Sequence, residues 1–146
     1  MFKSIFKKKK VLVTGHTGFK GSWLCAWLDH LGAEVVGLSD DVVSNPSNYL
    51  ASSISDFVKD YRVDIRDTAK VVSVIQETQP DFVFHLAAQA LVRPSYEDPI
   101  GTLTTNAIGT ANVLEALRFL DNKVVAVMIT SDKAYDNVEW VWGYRE

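Results

Sequence analysis

Short apolar runs rich in β-branched residues alternate with longer helical patterns along the whole 146-residue chain. The runs predict five strands, at residues 11–13, 33–38, 59–63, 81–85 and 124–129. Because these strands are apolar nearly throughout rather than at alternate positions, helices are expected to cover both faces of their sheet. The alternation therefore predicts an α/β fold with a doubly wound parallel sheet, and the strand order 3-2-1-4-5 is the first choice.

Three helical patterns separate the strands. The second starts at Asp67 as N-cap and ends before Pro80, and the third starts at Asp98-Pro99 and runs to about Leu120. Residues 41–53 are predicted to be mostly loop, with a short helix near 49–54. The first pattern covers residues 19–31 and has its large apolar side chains on one face: Phe19, Trp23, Leu24, Trp27, Leu28 and Leu31.

Charge and composition exclude several classes of protein. Five of the 15 Lys and Arg residues fall within the first ten positions, so the remaining chain is strongly acidic, which argues against nucleic-acid binding. A single Cys excludes an internal disulfide, and three scattered His residues offer no zinc spacing. No stretch approaches the roughly 18 apolar residues of a membrane span, and the start lacks a secretory signal. We therefore expect a cytoplasmic protein without a metal, whose basic tip is a solvated lead-in.

Three glycines, Gly15, Gly18 and Gly21, lie in the turn between the first strand and the first helix. Gly15 suits a tight turn, Gly18 lets a pyrophosphate approach the backbone, and Gly21 lets the helix pack closely on the sheet. The free N–H groups at the start of the helix then bind the anion. A P-loop is the competing interpretation, but it needs Gly before Lys, whereas Lys20 precedes Gly21. A turn shaped by glycines without any ligand is the remaining alternative.

Two acidic residues follow the second and third strands. Asp40 stands about 20 residues beyond the glycines, where a carboxylate accepts both ribose hydroxyls and repels a 2′-phosphate, which favours NAD over NADP. Asp64 ends the third strand, where a carboxylate can accept the adenine amino group. The alternatives are that Asp40 opens a solvated loop and that Asp64 is a local turn or cap residue.

Five motifs spread over nearly the whole chain resemble those of the extended short-chain dehydrogenase/reductases. They are Thr14-Gly15-x-x-Gly18-x-x-Gly21, Asp64-Ile65-Arg66-Asp67, His85-Leu86-Ala87-Ala88-Gln89, Asn106-x-x-Gly109-Thr110 and Thr130-Ser131-Asp132-Lys133. Within this family, residues 15–24, 91–96, 131–133 and 139–146 are most similar to the nucleotide-sugar 4,6-dehydratases of the CDP-glucose branch. The other dehydratases of this kind carry Glu at the position of Lys133.

The resemblance implies that NAD takes a hydride from C4 of the sugar and returns it to C6 after water is lost across C5 and C6. Ser131 would hydrogen-bond the C4 oxygen, Asp132 would protonate the departing C6 hydroxyl, and Lys133 would remove the C5 proton. An ordinary polar strand exit is the alternative for this tripeptide. The implied cofactor-binding set is Gly15, Thr17, Gly18, Phe19, Gly21, Asp40, Asp64, Ile65, Leu86, Ala87, Ala88, Gln89 and Asn106.

Two residues of these motifs carry further expectations. In the family, Asn106 braces a neighbouring strand, and the alternative is a plain surface Asn. His85 is expected to be a packed strand residue rather than a proton shuttle.

The sequence lacks the Tyr-x-x-x-Lys pair that the family carries on the helix after its sixth strand. We therefore expect residues 1–146 to be the NAD-binding Rossmann part of a longer dehydratase, without the sixth strand and the carboxyl-terminal substrate domain. Alone, the chain should bind NAD weakly if at all and should not turn over. The resemblance also implies that the longer protein is a homodimer, in which the helix that starts at Pro99 and the absent Tyr-bearing helix pair across a two-fold axis. Without the second helix, the chain alone should expose apolar surface around Leu103 and Leu114. The alternatives are a non-catalytic NAD-binding module and another family member, such as a nucleotide-sugar epimerase.

Overall fold

The computed structural model describes residues 2–42, 44–131 and 135–145, and it confirms the predicted parallel sheet. The strands are β1 (Lys10–Thr14), β2 (Glu34–Ser39), β3 (Lys59–Arg62), β4 (Phe82–His85) and β5 (Val125–Met128). They lie in the order β3-β2-β1-β4-β5, and each neighbouring pair is parallel. The carboxyl ends of all five strands therefore meet at one edge of the sheet, where ligands bind in folds of this kind.

The helices between these strands are partly those that the sequence predicts. They are α1 (Phe19–His30), α2 (Asn48–Ala51), α3 (Thr68–Thr78), α4 (Val92–Glu97), α5 (Pro99–Leu103) and α6 (Thr110–Leu117). Helix α4 was not predicted. A single regular helix after Pro99 was predicted, but a π-helix (Thr104–Gly109) joins α5 to α6, so residues 99–117 form one composite helix with an irregular centre.

The two faces of the sheet bury different helices, because successive side chains of a strand point to opposite faces. Leu12 of β1 and Val83 of β4 pack in one cluster with Val71 and Ile75 of α3 and Val113 of α6. The alternate strand residues Val11, Val13 and Val35 pack on the other face. They form a second cluster with Cys25 and Leu28 of α1 and with Tyr49, Ile54 and Val58. Helices α3 and α6 thus cover one face and α1 the other.

The structure confirms both predicted helix caps. Asp67 Oδ1 accepts a hydrogen bond from the backbone N–H of Lys70 at 3.2 Å, at the start of α3. Asp98 Oδ1 accepts one from the backbone N–H of Gly101 at 2.9 Å, with Pro99 at the first helical position. Each carboxylate satisfies an N–H group that the helix itself cannot pair.

The buried face of α1 differs from the predicted apolar face. Phe19, Trp23 and Trp27 are 71%, 59% and 48% exposed, and of the six predicted residues only Leu28 is buried. The helix instead buries small residues, including Gly21 and Cys25. A Cβ on Gly21 would overlap the Gly15 carbonyl. The close approach of α1 to the turn therefore selects small side chains and leaves the aromatic stripe outside.

The described residues contain neither a membrane-spanning helix nor a metal-binding cluster. Among the helices in the described part of the chain, none is long and apolar enough to cross a membrane. Within residues 2–42, 44–131 and 135–145, no group of three His, Cys, Asp or Glu side chains is arranged to hold a metal ion.

Candidate cofactor site at the carboxyl edge of the sheet

The turn that follows β1 is held tightly on both sides. Gly15 has a φ of +70°, a conformation that L side chains rarely adopt, and its N–H donates to the Leu38 carbonyl of β2 at 2.8 Å. A Cβ at Gly15 would lie 2.8 Å from the backbone nitrogen of Ala87, which follows β4. Glycine is therefore required here both by the backbone conformation and by the close approach of a second loop.

The start of α1 has the features of an anion site. Its N-cap is Gly18, which offers no side-chain cap, and its first turn contains Lys20 and no acidic residue. A Cβ at Gly18 would meet only the Gly15 carbonyl, at 3.3 Å, so the backbone is open on its remaining sides. Uncapped N–H groups at the positive end of a helix suit a pyrophosphate. This part of the chain fits a dinucleotide.

Thr17 ties the turn to the end of β2. Its Oγ1 lies 2.9 Å from Ser39 Oγ and donates to the Asp41 carbonyl at 2.6 Å. Because the Thr17 side chain is buried in these contacts, it supports the shape of the turn. Asp40 is exposed beside it, and its Oδ1 accepts from the Asp41 N–H at 2.8 Å. Its carboxylate is thus at the end of β2, at the carboxyl edge, where a ribose-binding acid is predicted.

Asp64 and Arg66 form a close pair after β3. Asp64 Oδ1 accepts from the backbone N–H of Arg66 at 2.8 Å, and Asp64 Oδ2 lies 2.6 Å from the Arg66 guanidinium. The hydrogen bonds from the Arg66 side chain lower the pKa of the Asp64 carboxyl, although its partial burial opposes the shift. Asp64 therefore has the local turn contact that the sequence left open, and the predicted contact with adenine remains a prediction. Ile65 between them is buried in the core.

The loop after β4 is fixed at both ends. Thr14 Oγ1 accepts from the N–H groups of Leu86 and Ala87, each at 3.1 Å. Asn106 grips the other end, since its Oδ1 accepts from the Gln89 N–H at 2.8 Å and its Nδ2 donates to the Gln89 carbonyl at 2.9 Å. Ala88 is exposed in the middle of the loop. The structure thus gives Asn106 a bracing contact with the loop after β4.

The predicted catalytic tripeptide follows β5. The Ile129 N–H donates to the His85 carbonyl at 3.1 Å and extends the pairing of β5 with β4, and Ser131 is exposed just beyond, at the carboxyl edge. Asp132 and Lys133 lie outside the described residues. Ser131 and the glycine turn therefore follow strands whose carboxyl ends lie at the same edge of the sheet.

Buried polar residues that the sequence did not single out support this edge. Asn112 of α6 donates from Nδ2 to the Ile65 carbonyl at 3.0 Å and so holds the loop after β3. Its only sequence signal is a polar residue on the inward face of an apolar helix.

A second buried group supports the turn from the α1 face. The ring of the fully buried His16 occupies the space that Gly37 leaves open, and its Nε2 lies 3.0 Å from Asp60 Oδ1. Burial lowers the pKa of His16. It outweighs the negative charge of Asp60, which raises that pKa. Gly37 in an otherwise apolar strand was the available signal, since such a glycine indicates a close contact.

The sheet order, the glycine turn and the uncapped helix together define a dinucleotide-binding domain of the Rossmann type. The family model described as GDP-mannose 4,6 dehydratase matches residues 12–142. The chain belongs to this family, within the extended short-chain dehydrogenase/reductases.

Curated relatives agree with this assignment. The chain is 50% identical over 144 residues to a CDP-glucose 4,6-dehydratase of Salmonella typhimurium, a match that covers 99% of the chain and 40% of that protein. It is 36% identical to a GDP-mannose 4,6-dehydratase of Vibrio cholerae, with 77% of the chain and 32% of that protein covered. The chain thus spans about two fifths or less of the length of these relatives.

Solved structures share the fold. An epimerase of Methanothermobacter thermautotrophicus is 28% identical with a TM-score of 0.81, and the match covers 97% of the chain and 41% of the epimerase. A UDP-glucose-4-epimerase of Stenotrophomonas maltophila, solved with bound NAD and formylated UDP-arabinopyranose, is 27% identical with a TM-score of 0.79 and coverages of 91% and 40%.

Proposed function

We propose that the chain is the amino-terminal, NAD-binding part of a nucleotide-sugar 4,6-dehydratase that acts on CDP-glucose. The observation that carries this proposal is the open, uncapped start of α1 behind the Gly15–Gly18 turn, at the same edge as Ser131. The 50% identity to a CDP-glucose 4,6-dehydratase supports the substrate. Lys133, where other dehydratases of this kind carry Glu, supports the same branch.

The chain's own residues would hold the cofactor in three places. The first N–H groups of α1 bind the pyrophosphate, Asp40 accepts the ribose hydroxyls, and Asp64 accepts the adenine amino group. The loop from Leu86 to Gln89, with its small Ala87 and Ala88, lines the path toward the sugar. When bound, NAD supplies a reversible hydride acceptor.

The tripeptide after β5 would handle the protons. Ser131 donates a hydrogen bond that orients the C4 oxygen of the sugar. Asp132 gives its proton to the departing C6 oxygen, which leaves as water, and the neutral amine of Lys133 takes the proton from C5. Because the base for the C4 hydroxyl is the Tyr of the absent Tyr-x-x-x-Lys pair, we expect no turnover from residues 1–146 alone.

The oligomeric state of the longer protein is a further part of the proposal. We propose that the longer protein is a homodimer through the composite helix, in which Leu103 and Leu114 are 62% and 46% exposed. Exposed apolar side chains on one helix favour association.

An epimerase is the second candidate, because the solved relatives include UDP-glucose 4-epimerases. In the longer protein, an assay with CDP-glucose separates the two activities. We expect a 4-keto-6-deoxy sugar product, and Asp132→Asn and Lys133→Met should each abolish its formation while NAD binding stays. Formation of CDP-galactose with no keto product would support the epimerase and contradict the dehydratase.

The cofactor preference is tested by calorimetric titration of the longer protein with NAD and NADP. We expect NAD to bind more tightly, because the Asp40 carboxylate repels a 2′-phosphate. Asp40→Asn should lower the ratio of the NAD affinity to the NADP affinity about tenfold, equivalent to about 1.4 kcal/mol. Asp41→Asn is the matched control, because Asp41 is the neighbouring exposed carboxylate and is expected to leave the ratio unchanged. Preference for NADP in the unaltered protein would contradict the assignment of Asp40.

A further inference from the structure

His85 is a buried ring that none of the proposed chemistry uses. It is 3% exposed, at the carboxyl end of β4, and it pairs in the sheet register with Thr14 of β1. Its Nδ1 lies 2.7 Å from Thr14 Oγ1, and its Nε2 lies 2.9 Å from Thr110 Oγ1 of α6. One imidazole therefore joins two strands and the composite helix.

The partners of Thr14 fix the direction of the first hydrogen bond. Thr14 Oγ1 already accepts from the backbone N–H groups of Leu86 and Ala87, each at 3.1 Å. A hydroxyl oxygen has two acceptor positions and one proton to donate. The Leu86 N–H is shared with the Thr14 carbonyl at 3.2 Å, but both N–H groups still face the acceptor side of Oγ1, so the Thr14 hydroxyl donates to Nδ1 and Nδ1 carries no proton.

The partner of Thr110 fixes the direction of the second hydrogen bond. Thr110 Oγ1 donates its only proton to the Asn106 carbonyl at 2.7 Å. It must therefore accept from His85, so the ring proton is on Nε2. The two constraints select the same neutral tautomer independently.

We propose that Thr14, His85 and Thr110 form a directional hydrogen-bond relay that positions the loop of residues 86–89 against the glycine turn for NAD binding. The inference rests on the proposed NAD-binding function. Each member is a positioning residue, because the relay acts through the loop and not by contact with the cofactor.

The relay reaches both ends of that loop. At its start, Thr14 holds Leu86 and Ala87, and Ala87 lies against Gly15. At its end, Asn106 holds the Gln89 backbone with both groups of its side-chain amide, and its own carbonyl accepts from Thr110. Loss of the relay would therefore leave Thr14 and the Asn106 turn, which hold the two ends of the loop, without the ring that joins them.

Protonation of the ring would break the relay. A proton on Nδ1 would face Thr14 Oγ1, whose acceptor positions are both filled. Burial also lowers the pKa of His85, in agreement with a neutral ring.

The tautomer is measured directly by NMR of 15N-histidine-labelled protein, with the His85 signals identified by their loss in His85→Gln. We expect the Nε2–H tautomer at neutral pH, in Thr110→Ser as in the unaltered protein. A dominant Nδ1–H tautomer, or an imidazolium at pH 7, would overturn the proposal. The spectrum of the unaltered protein decides the point even where a variant fails to fold.

The positioning role is measured by the NAD affinity of matched threonine variants of the longer protein. Thr110→Val removes the acceptor for Nε2–H at nearly constant volume and should weaken NAD binding about tenfold, the effect of about 1.4 kcal/mol. Thr110→Ser keeps the hydroxyl and should bind within about twofold of the unaltered protein. Thr104→Val is the control, because Thr104 makes the same hydrogen bond to the carbonyl four residues earlier, at 2.7 Å from Ile100, without a histidine partner.

Each outcome of this comparison has one meaning. Equal effects of Thr110→Val and Thr104→Val on NAD affinity would overturn the positioning role, because they would trace the loss to the helix alone. Absence of NAD binding by the longer protein would contradict the proposed function, and the tautomer would still confirm or overturn the relay.

Discussion

The glycine turn and strand β5 supply the two halves of the proposed site, and the structure supports them very differently. Strand β1, which leads into the turn, has neighbours on both sides and apolar residues that are fully buried, such as Val13. Within the described residues, strand β5 pairs with β4 on one side, and its Val125 and Val127 are 55% and 38% exposed. The described residues thus pack the cofactor half on all sides, whereas they cover the strand that leads to the catalytic half on one side.

The difference indicates where the proposed site is pre-organised. Around the turn, backbone contacts such as Gly15 with Ala87 leave little freedom, which suits a site that must present N–H groups to a pyrophosphate. Along β5, the described residues supply one ladder, to β4. In residues 1–146, substitutions should therefore cost more stability near the turn than near β5.

The strongest test of this contrast is the pair Gly21→Ala and Gly143→Ala. A Cβ at Gly21 would overlap the Gly15 carbonyl, which belongs to the backbone, whereas a Cβ at Gly143 would meet nothing within 4 Å. We expect Gly21→Ala to lower the free energy of unfolding by about 3 kcal/mol, at the upper end of overpacking costs. Denaturant unfolding measures both variants, and Gly143→Ala should stay close to the unaltered protein. A small loss at Gly21 would mean that α1 does not lie this close to the turn.

The same substitution in two strands gives the next largest effect. Val13→Thr places a hydroxyl in the fully buried centre of β1, among apolar residues, and should cost about 2 kcal/mol of unfolding free energy. Val127→Thr places the hydroxyl at a partly exposed position of β5 and should change the free energy by less than about 0.5 kcal/mol. Equal losses in denaturant unfolding would show that β5 is as well covered as β1.

These two strands also show what a sequence can predict. Both read as continuous apolar runs, and that pattern correctly gave parallel strands in the order 3-2-1-4-5. It could not distinguish β1 from β5, because apolar composition records that a strand belongs to a covered sheet and not which elements cover it. The aromatic stripe of α1 failed for a related reason, since the small residues at Gly21 and Cys25 decided which face packs.

A smaller effect on stability is expected from a change of pH, because two buried histidines lie in the well-packed half: His16 in the turn after β1 and His85 at the end of β4. Burial lowers the pKa of His16 and of His85 below the usual 6.5. As the pH falls below about 6.5, these histidines therefore bind protons in the unfolded chain before they do so in the folded protein. The free energy of unfolding decreases as the pH falls further.

The slope of stability with pH tests this assignment. Carboxyl groups such as Asp60, whose pKa is lowered from 3.8, add their own losses only at more acid pH. Between pH 6.5 and 5 the slope should therefore fall in His16→Gln and in His85→Gln, and it should persist in Val127→Thr. An unchanged slope in both histidine variants would contradict a neutral, buried ring at either position.

The site could be predicted from the sequence at positions where the backbone geometry admits a single residue type. Gly15 and Gly21 were named for a tight turn and for close packing, and the structure has both features. The support behind them was not predictable, because the contacts of His16, Thr110 and Asn112 join residues far apart in sequence. The π-helix was hidden as well, since the apolar spacing after Pro99 fits a regular helix.

The smallest effect should come from the charged pair after β3. Arg66 and Asp64 are close, but both side chains are partly exposed, so water and salt screen their attraction and little stability depends on it. In Arg66→Gln, Asp64 can still accept from the backbone N–H of residue 66, so the turn keeps its main contact. We expect a loss below about 0.5 kcal/mol by denaturant unfolding, against no measurable loss for Arg93→Gln, whose pair with Glu97 is longer and more exposed. A loss above about 1 kcal/mol at Arg66 would instead mean that this pair helps to hold the cofactor half of the site as firmly as the buried contacts do.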